Sequence, residues 1–346
     1  MVDIREQKIL EYLEKNPGQS SKAIHEGLGS GASYATVKRM LQKLWSDNLI
    51  VKEGEGKSTR YNISPAFILL KPIELEEYYL KEIDEREIKK SFDMSLLTDV
   101  LPITSVFSEA EMLKLKLLQS NYRQNVSKLS VPEYKKEMER LAVDLSWKSS
   151  QIEGNTYTLL ETERLLLDKE TATGKSKEEA VMLINHKETI DFISANPDFL
   201  NTITVTKIEE IHYLLIKELS ISRNIRKSRV GISGTNYRPL DNEFQIIEAL
   251  EKTCDLVNRK NDVFEKALLA LVLISYIQPF NDGNKRTARI VCNAILMSEM
   301  HCPVSFRTVD SLTYKKAMLL FYEQNNISKM KEMFISQYEF AVKTYF

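Results

Sequence analysis

The residues of this sequence whose types and spacing could do chemistry lie between Asp282 and Arg289. Asp282-Gly283-Asn284 are small residues that tolerate unusual backbone angles and can turn several N–H groups toward one point. A helix-compatible run begins near Lys285 and continues through Ala288, Val291, Ala294 and Leu296. The point would therefore sit at a helix N-terminus, where free amides and the helix dipole favour an anion. Arg286 and Arg289 are three apart, so both can project from one side of the first turns. A carboxylate, a glycine turn, a helix start and two arginines together suit a polyphosphate and its divalent metal. Singly, the parts are ordinary: Gly-Asn is a common turn, and Arg-x-x-Arg is a common solvated helix face. Their joint occurrence is what favours phosphate binding over a plain structural turn.

Two helices must hold these residues. Residues 267–277 form a strongly apolar helical segment that runs into Pro279, which ends or bends a helix near that point. The rest of the composition fits a helical scaffold. At 346 residues the chain has room for about two domains, and only 11 glycines and 9 prolines interrupt it. Hydrophobic content of 43% with 28% charged residues is ordinary for a soluble globular protein. A net charge of −1 gives no global pull toward nucleic acid or anionic membrane, so such contacts need a local patch. The longest mainly apolar run, residues 267–276, is too short to span a bilayer, and residues 1–7 carry no signal-peptide hydrophobic region. Cys254, Cys292 and Cys302 are odd in number and lack metal-ligand spacing, which suits reduced thiols in the cytoplasm and leaves no four-ligand zinc site.

Residues 1–64 read as a separate domain. Ile4, Ile9, Leu10 and Leu13 make one helix, stopped by Asn16-Pro17-Gly18. Ser20 or Ser21 can cap a second through Ile24 and Leu28, and Ser33 a third with Val37, Met40, Leu41 and Leu44 inward. Residues 49–53 and 57–63 flank Gly54-Glu55-Gly56 as a hairpin. Three short helices and a β-wing resemble a winged helix-turn-helix. Read as a DNA-binding module, its third helix would turn Tyr34, Lys38, Arg39 and Gln42 to the major groove, with Lys57 and Arg60 on phosphates. Winged helices also serve as protein-docking or dimerisation modules, and this one is only slightly basic.

Residues 65–106, with Pro65, Pro72 and Pro102 around a charged run, read as a linking segment that packs on the second domain. Residues 107–346 form that second domain. Pro132 suits a first helical turn, and Met138, Leu141, Leu145, Ser149 and Ile152 follow a helical stripe that Glu153 extends, giving a helix over about 132–154. A carboxylate on that buried line needs a cation; a solvated Glu beside a Gly154-Asn155 cap is the plainer alternative. Further helices are expected over 161–167, 177–193, 205–219, 243–257, 263–277, 308–323 and 327–344. His186 and His212 fall inside helices and read as packed or surface histidines more than as catalysts. Residues 229–239 are short β-prone pieces around Gly231 and Gly234, a surface hairpin by their pattern.

Gln278-Pro279-Phe280-Asn281-Asp282-Gly283-Asn284-Lys285-Arg286-Thr287-Ala288-Arg289 resembles the signature of Fic-domain proteins, H-P-F-x-[D/E]-G-N-[G/K]-R-x-x-R, at every specified position but the first, where Gln278 replaces the histidine. Ser149-Ser150-Gln151-Ile152-Glu153-Gly154 is similar to the [S/T]-x-x-x-E-[G/N] inhibitory motif of the class with an N-terminal inhibitory helix. The resemblance covers roughly residues 107–338. It implies a mainly α fold: an all-helical core with a β-hairpin flap, behind the small winged-helix domain. It implies transfer of AMP from ATP to a Tyr, Ser or Thr hydroxyl of a protein target, this chain included. Asp282 would hold Mg²⁺; Gly283, Asn284 and Lys285 would form the anion nest; Arg286 would support the phosphates and Arg289 would meet the γ-phosphate. Glu153 would pair with Arg289 and block that position, with Ser149 in the same motif, and Gly234, Thr235 and Tyr237 would belong to the flap that docks the target by β-augmentation. Lys285 also resembles the Doc-type subgroup, which keeps phosphate transfer beside AMP transfer.

The general base is the departure. Gln278 can hydrogen-bond the attacking hydroxyl, but an amide does not accept its proton near neutral pH. Two readings are open: a transferase impaired at Gln278 and autoinhibited by Glu153, or a nucleotide-sensing DNA-binding regulator with a catalytically dead Fic domain. Removal of AMP, with Glu153 positioning water, is a third. The expected partners are a protein target, DNA at residues 1–64 in the regulator reading, and no membrane; a homodimer is compatible with the sequence.

Overall fold

A computed structural model describes residues 4–346, Ser30 by its backbone alone. The chain divides into two compact units, one ending at Pro72 and one beginning at Ile73. No helix among the described residues is long and apolar enough to cross a membrane.

The first unit holds α1 (Ile4–Lys15), α2 (Ser21–Gly27), α3 (Tyr34–Ser46), β1 (Ile50–Glu53), β2 (Arg60–Ile63) and α4 (Pro65–Leu70). Ile9, Leu10 and Leu13 of α1, Ile24 of α2 and Val37, Met40, Leu41 and Leu44 of α3 close around Ile50 as one core. The strands pair antiparallel from Ile50 opposite Ile63 to Glu53 opposite Arg60. Gly18, with φ near +71°, turns the chain after α1 and donates its N–H to Asn62 at 2.6 Å, which ties the wing to that turn. The unit runs past the boundary at residue 64 read from the sequence. Ser64 caps α4 through Phe67 N–H, and Phe67 packs on the same core.

Ser33 caps α3 by accepting from Thr36 N–H at 3.2 Å. Ser33→Ala should cost the first unit about 1 kcal/mol, because one helix-end donor loses its partner. Urea unfolding followed by Trp45 fluorescence, with Trp147 replaced by Phe, measures it.

The second unit is helical: α5 (Leu75–Tyr78), α6 (Glu109–Val126), α7 (Val131–Ile152), α8 (Leu159–Asp168), α9 (Lys177–Ala195), α10 (Val205–Ile216), α11 (Glu243–Arg259), α12 (Val263–Ile277), α13 (Asn284–Ser298), α14 (Ser311–Gln324) and α15 (Ser328–Thr344). Capping boxes start α6, α7, α8 and α9, each a Ser or Thr paired with a Glu three residues on. From Ala267 to its end α12 is buried on every side, so it is the central helix, and α13 packs against it beyond a short turn.

The β-hairpin expected over 229–239 is absent, and β1–β2 is the one sheet among the described residues. The segment turns at Gly234, φ near +88°, and its polar groups bond elsewhere. Arg238 N–H donates to Lys90 O at 3.0 Å beside a single parallel bridge from Arg238 to Ser91. Arg86 Nη2 donates to Gly234 O at 2.9 Å, and Asn236 to Asp84 at 2.9 Å. Residues 84–91 thus take the place of the second hairpin strand. They are themselves anchored, since Glu323, fully buried, binds Arg86 at 3.2 Å and Tyr78 Oη at 2.7 Å. Phe92 stacks on Tyr276 at 4.7 Å.

Candidate functional site

Helix α12 ends at Gln278, which adopts the left-handed conformation (φ 53°, ψ 59°) that lets the chain leave the helix before Pro279. For a non-glycine residue that conformation is strained, and a buried arginine secures it. Arg226, 1% exposed, donates Nε to Gln278 O at 2.6 Å and Nη1 to Ser228 O at 2.8 Å, while its own N–H bonds Pro279 O at 3.0 Å. The Gln278 amide is held at both ends. Its Nε2 donates to Ser275 O at 2.6 Å, and its Oε1 accepts from Asn284 Nδ2 at 3.1 Å.

The turn is sewn by one side chain. Asn284 Oδ1 accepts from Phe280 N–H at 2.8 Å and its Nδ2 donates to Phe280 O at 2.8 Å, so this side chain serves the loop. Gly283, φ near +81°, is the N-cap residue of α13, and its carbonyl accepts from Thr287 N–H at 2.8 Å. The Asp282 carbonyl faces His212 Nε2 at 3.0 Å, and the His212 ring lies flat on Phe280 with centroids 3.6 Å apart. Burial lowers the His212 pKa to about 4, against the pull of the carbonyls that face it, so the ring is neutral at pH 7.

Around the turn the cations are buried. Arg286, 1% exposed, touches Asp282 Oδ2 through Nη2 at 3.3 Å, while its Nε and Nη1 are buried without a partner. Arg289, fully buried, donates Nε to Ser149 Oγ at 2.8 Å and Nη2 to both Ser149 O at 2.8 Å and Glu153 Oε1 at 2.9 Å. Its Nη1 is again without a partner. Glu153, the C-cap residue of α7, reaches Lys285 Nζ with its other oxygen at 3.2 Å. Burial pushes the Glu153 pKa up, but the attraction of Arg289 and Lys285 outweighs it and holds the carboxyl at about 2. Unpartnered donors on two buried guanidiniums are costly unless an anion completes them. Asp282 keeps its side chain 65% exposed. Among the described residues no three His, Cys, Asp or Glu side chains cluster as a metal site. A single open carboxylate still fits Mg²⁺, which takes one or two carboxylates and otherwise phosphate and water oxygens.

Of the residues singled out in the sequence, Gln278, Asp282, Gly283, Asn284, Lys285, Arg286, Arg289, Ser149 and Glu153 converge on this loop. The flap residues divide. Gly234 is exposed and Thr235 half-buried, but Tyr237 is 2% exposed with its hydroxyl on Tyr276 O at 3.0 Å. Its side chain anchors the segment to α12 and is not free to meet a target. Tyr34, Lys38, Arg39, Gln42, Lys57 and Arg60 are exposed on α3 and the wing, with Lys38 Nζ 5.1 Å from the Tyr34 ring centroid. Arg226 was not singled out, because nothing local separates it from Arg223 beside it. His186 is buried without a hydrogen-bond partner, and burial, then Arg289 and Arg286, lower its pKa well below the usual value.

Residues 202–296 match the Fic/DOC family, and residues 4–65 match the penicillinase repressor family. A curated relative, "Protein adenylyltransferase Fic" of Nematostella vectensis, is 31% identical over 180 residues, covering 49% of this chain and 40% of that protein. "Protein adenylyltransferase fic-1" of Caenorhabditis elegans is 28% identical over 161 residues, covering 44% of this chain and 31% of that protein. The chain therefore spans less than half the length of either. Among solved structures, C. elegans Fic-1 (aa134–508) superposes with a TM-score of 0.60 at 20% identity, over 68% of this chain and 72% of that one. A Fic domain containing signaling protein from Bacteroides thetaiotaomicron gives 0.59 at 19% identity, over 67% of this chain and 95% of that one. At these identities the structural likeness speaks for the fold.

Proposed function

Because the chain carries a Fic/DOC domain in its C-terminal half behind an N-terminal penicillinase-repressor-type winged helix, we propose that it is a Fic-type protein adenylyltransferase held off by Glu153 and limited by Gln278. The relatives named protein adenylyltransferase support the class of reaction, AMP transfer from ATP to a protein hydroxyl. One observation carries the assignment to this loop: Glu153 occupies Arg289 at 2.9 Å and Lys285 at 3.2 Å beside the unpartnered donors of Arg286. A carboxylate there stands where a phosphate would, and nucleotide must displace it. Arg286 and the N–H groups at the start of α13 bind phosphate, and Arg289 takes the terminal phosphate once Glu153 withdraws. Asp282 would hold Mg²⁺, which would neutralise phosphate charge.

The test is label transfer by a Gln278→His, Glu153→Gly chain. Label from α-labelled ATP marks AMP transfer, and label from γ-labelled ATP marks phosphate transfer. A variant that binds ATP yet labels neither itself nor any protein in a lysate removes the enzyme reading.

A second reading has its own support. The Gln278 amide is engaged at both ends, which suits a nucleotide-binding domain without turnover, and the outer side of α3 is open to DNA. In this reading the chain is a nucleotide-sensing DNA-binding regulator. Lys38→Ala or Arg60→Ala should then weaken binding to its promoter site at low salt. Each should also flatten the plot of log affinity against log salt by about 0.9, the share of one phosphate contact. Electrophoretic shifts across a salt series measure this, and equal slopes in variant and wild type count against it.

A further inference from the structure

We propose that His212, on α10 and remote in sequence from the loop, is a positioning residue that sets the direction of the Gly283 N–H through the Asp282 carbonyl. The inference rests on the reading of this loop as a nucleotide phosphate site. A carbonyl oxygen only accepts, and Nδ1 makes no hydrogen bond, so the contact from His212 Nε2 to Asp282 O at 3.0 Å places the ring proton on Nε2. In a trans peptide the C=O and N–H point in opposite directions. Holding the Asp282 carbonyl inward on His212 therefore turns the Gly283 N–H outward. There the Asp282 carboxylate, itself largely exposed, accepts it at 2.6 Å.

Gly283 does not fix this orientation by itself. Glycine takes either hand of φ at similar cost, so the Asp282–Gly283 peptide could rotate and point its oxygen at an incoming phosphate. A carbonyl oxygen in that place would repel both the Asp282 carboxylate that the N–H now holds and a phosphate beside it. The His212 ring cannot swing away easily. It lies within 2° of parallel on Phe280, and both residues have no exposed surface. It also sits directly beneath the glycine: a Cβ at position 283 would stand 3.4 Å from His212 Cδ2. The histidine thus supplies both the floor of the turn and the donor that orients it.

His212→Phe keeps the flat ring and the stack but removes the donor, whereas His212→Gln restores an N–H at nearly the same reach. Calorimetric titration with ATP and Mg²⁺ should find the Phe chain about tenfold weaker than wild type, and the Gln chain close to wild type. Unchanged affinity in the Phe chain overturns the proposal, and so does an equal loss in both variants, which would mean packing alone. If the Phe chain does not fold, the Gln chain decides, and a loss there overturns the role. If wild type itself takes up no ATP, the nucleotide reading fails separately. A crystal structure of the Phe chain then decides the positioning role, which an unrotated Asp282–Gly283 peptide would overturn.

Discussion

Replacing Gln278 by histidine in a chain that already carries Glu153→Gly raises AMP transfer about 10²–10⁴-fold over the Glu153→Gly chain, the usual worth of general-base help. The present amide has nothing to offer the attacking hydroxyl's proton, because neither its oxygen nor its nitrogen is basic. Its neighbours are nevertheless arranged for an imidazole. Ser275 O, which accepts from Gln278 Nε2 at 2.6 Å, would accept the N–H of a histidine and leave the second ring nitrogen unprotonated. Neither His212 nor His186 substitutes. His212 commits Nε2 to the Asp282 carbonyl, and His186 has no exposed surface. Initial rates of label incorporation from α-labelled ATP measure the effect, with Gln278→Asn as the control that should restore nothing. Equal rates with and without the histidine would show that proton removal does not limit the reaction.

Neutralising the gate costs stability, and the cost depends on pH. Glu153→Gln leaves Arg289, fully buried, and Lys285 facing an amide, and should destabilise the second unit by about 3 kcal/mol at pH 7. The same figure follows from the depressed acid: a fall from its ordinary value of 4.5 to about 2 is worth about 3 kcal/mol of folding free energy. Because the folded-state pKa is the lower one, this stability is complete above the unfolded value near 4.5 and is lost as pH falls through about 2. The gap between wild type and Glu153→Gln should therefore be constant from pH 7 to about 5 and narrow below 4.5. Urea unfolding read by Trp147, which lies on α7 close before Glu153, follows it once Trp45 is replaced by Phe. A gap that is absent at pH 7, or that widens as pH falls, would remove the ion pair from the account.

What was legible in the sequence was local. Ser20 and Ser33 mark the starts of α2 and α3, the apolar run of α12 ends where Pro279 demands it, and the glycine turn before α13 follows from Asp282-Gly283-Asn284. Glu153 is ambiguous by its stripe alone, since the Gly154-Asn155 cap beside it allows a solvated carboxylate as well as a buried one. Only the fold brings Lys285 to its second oxygen. The 229–239 segment reads as a hairpin because β-prone residues around glycines form one when no other partner is near. The partner proved to be residues 84–91, too distant in sequence for any periodicity to announce. Arg226 escapes, and His212 reads only as a packed or surface histidine, for the same reason: each bonds backbone carbonyls far along the chain, and carbonyls carry no signature of residue type.

The tie between residues 84–91 and the loop around Gly234 also limits what can be cut out and moved. A transplant that began at residue 202, where the family match begins, would carry the anion loop but leave behind Arg86, Asp84 and Lys90. Gly234 O, Asn236 and Arg238 N–H would lose their partners, and Glu323 would stay buried without its cation. The helix that carries Glu153 would be lost as well, and with it the partner of Arg289. The smallest portable piece of the second unit therefore begins close to Ile73.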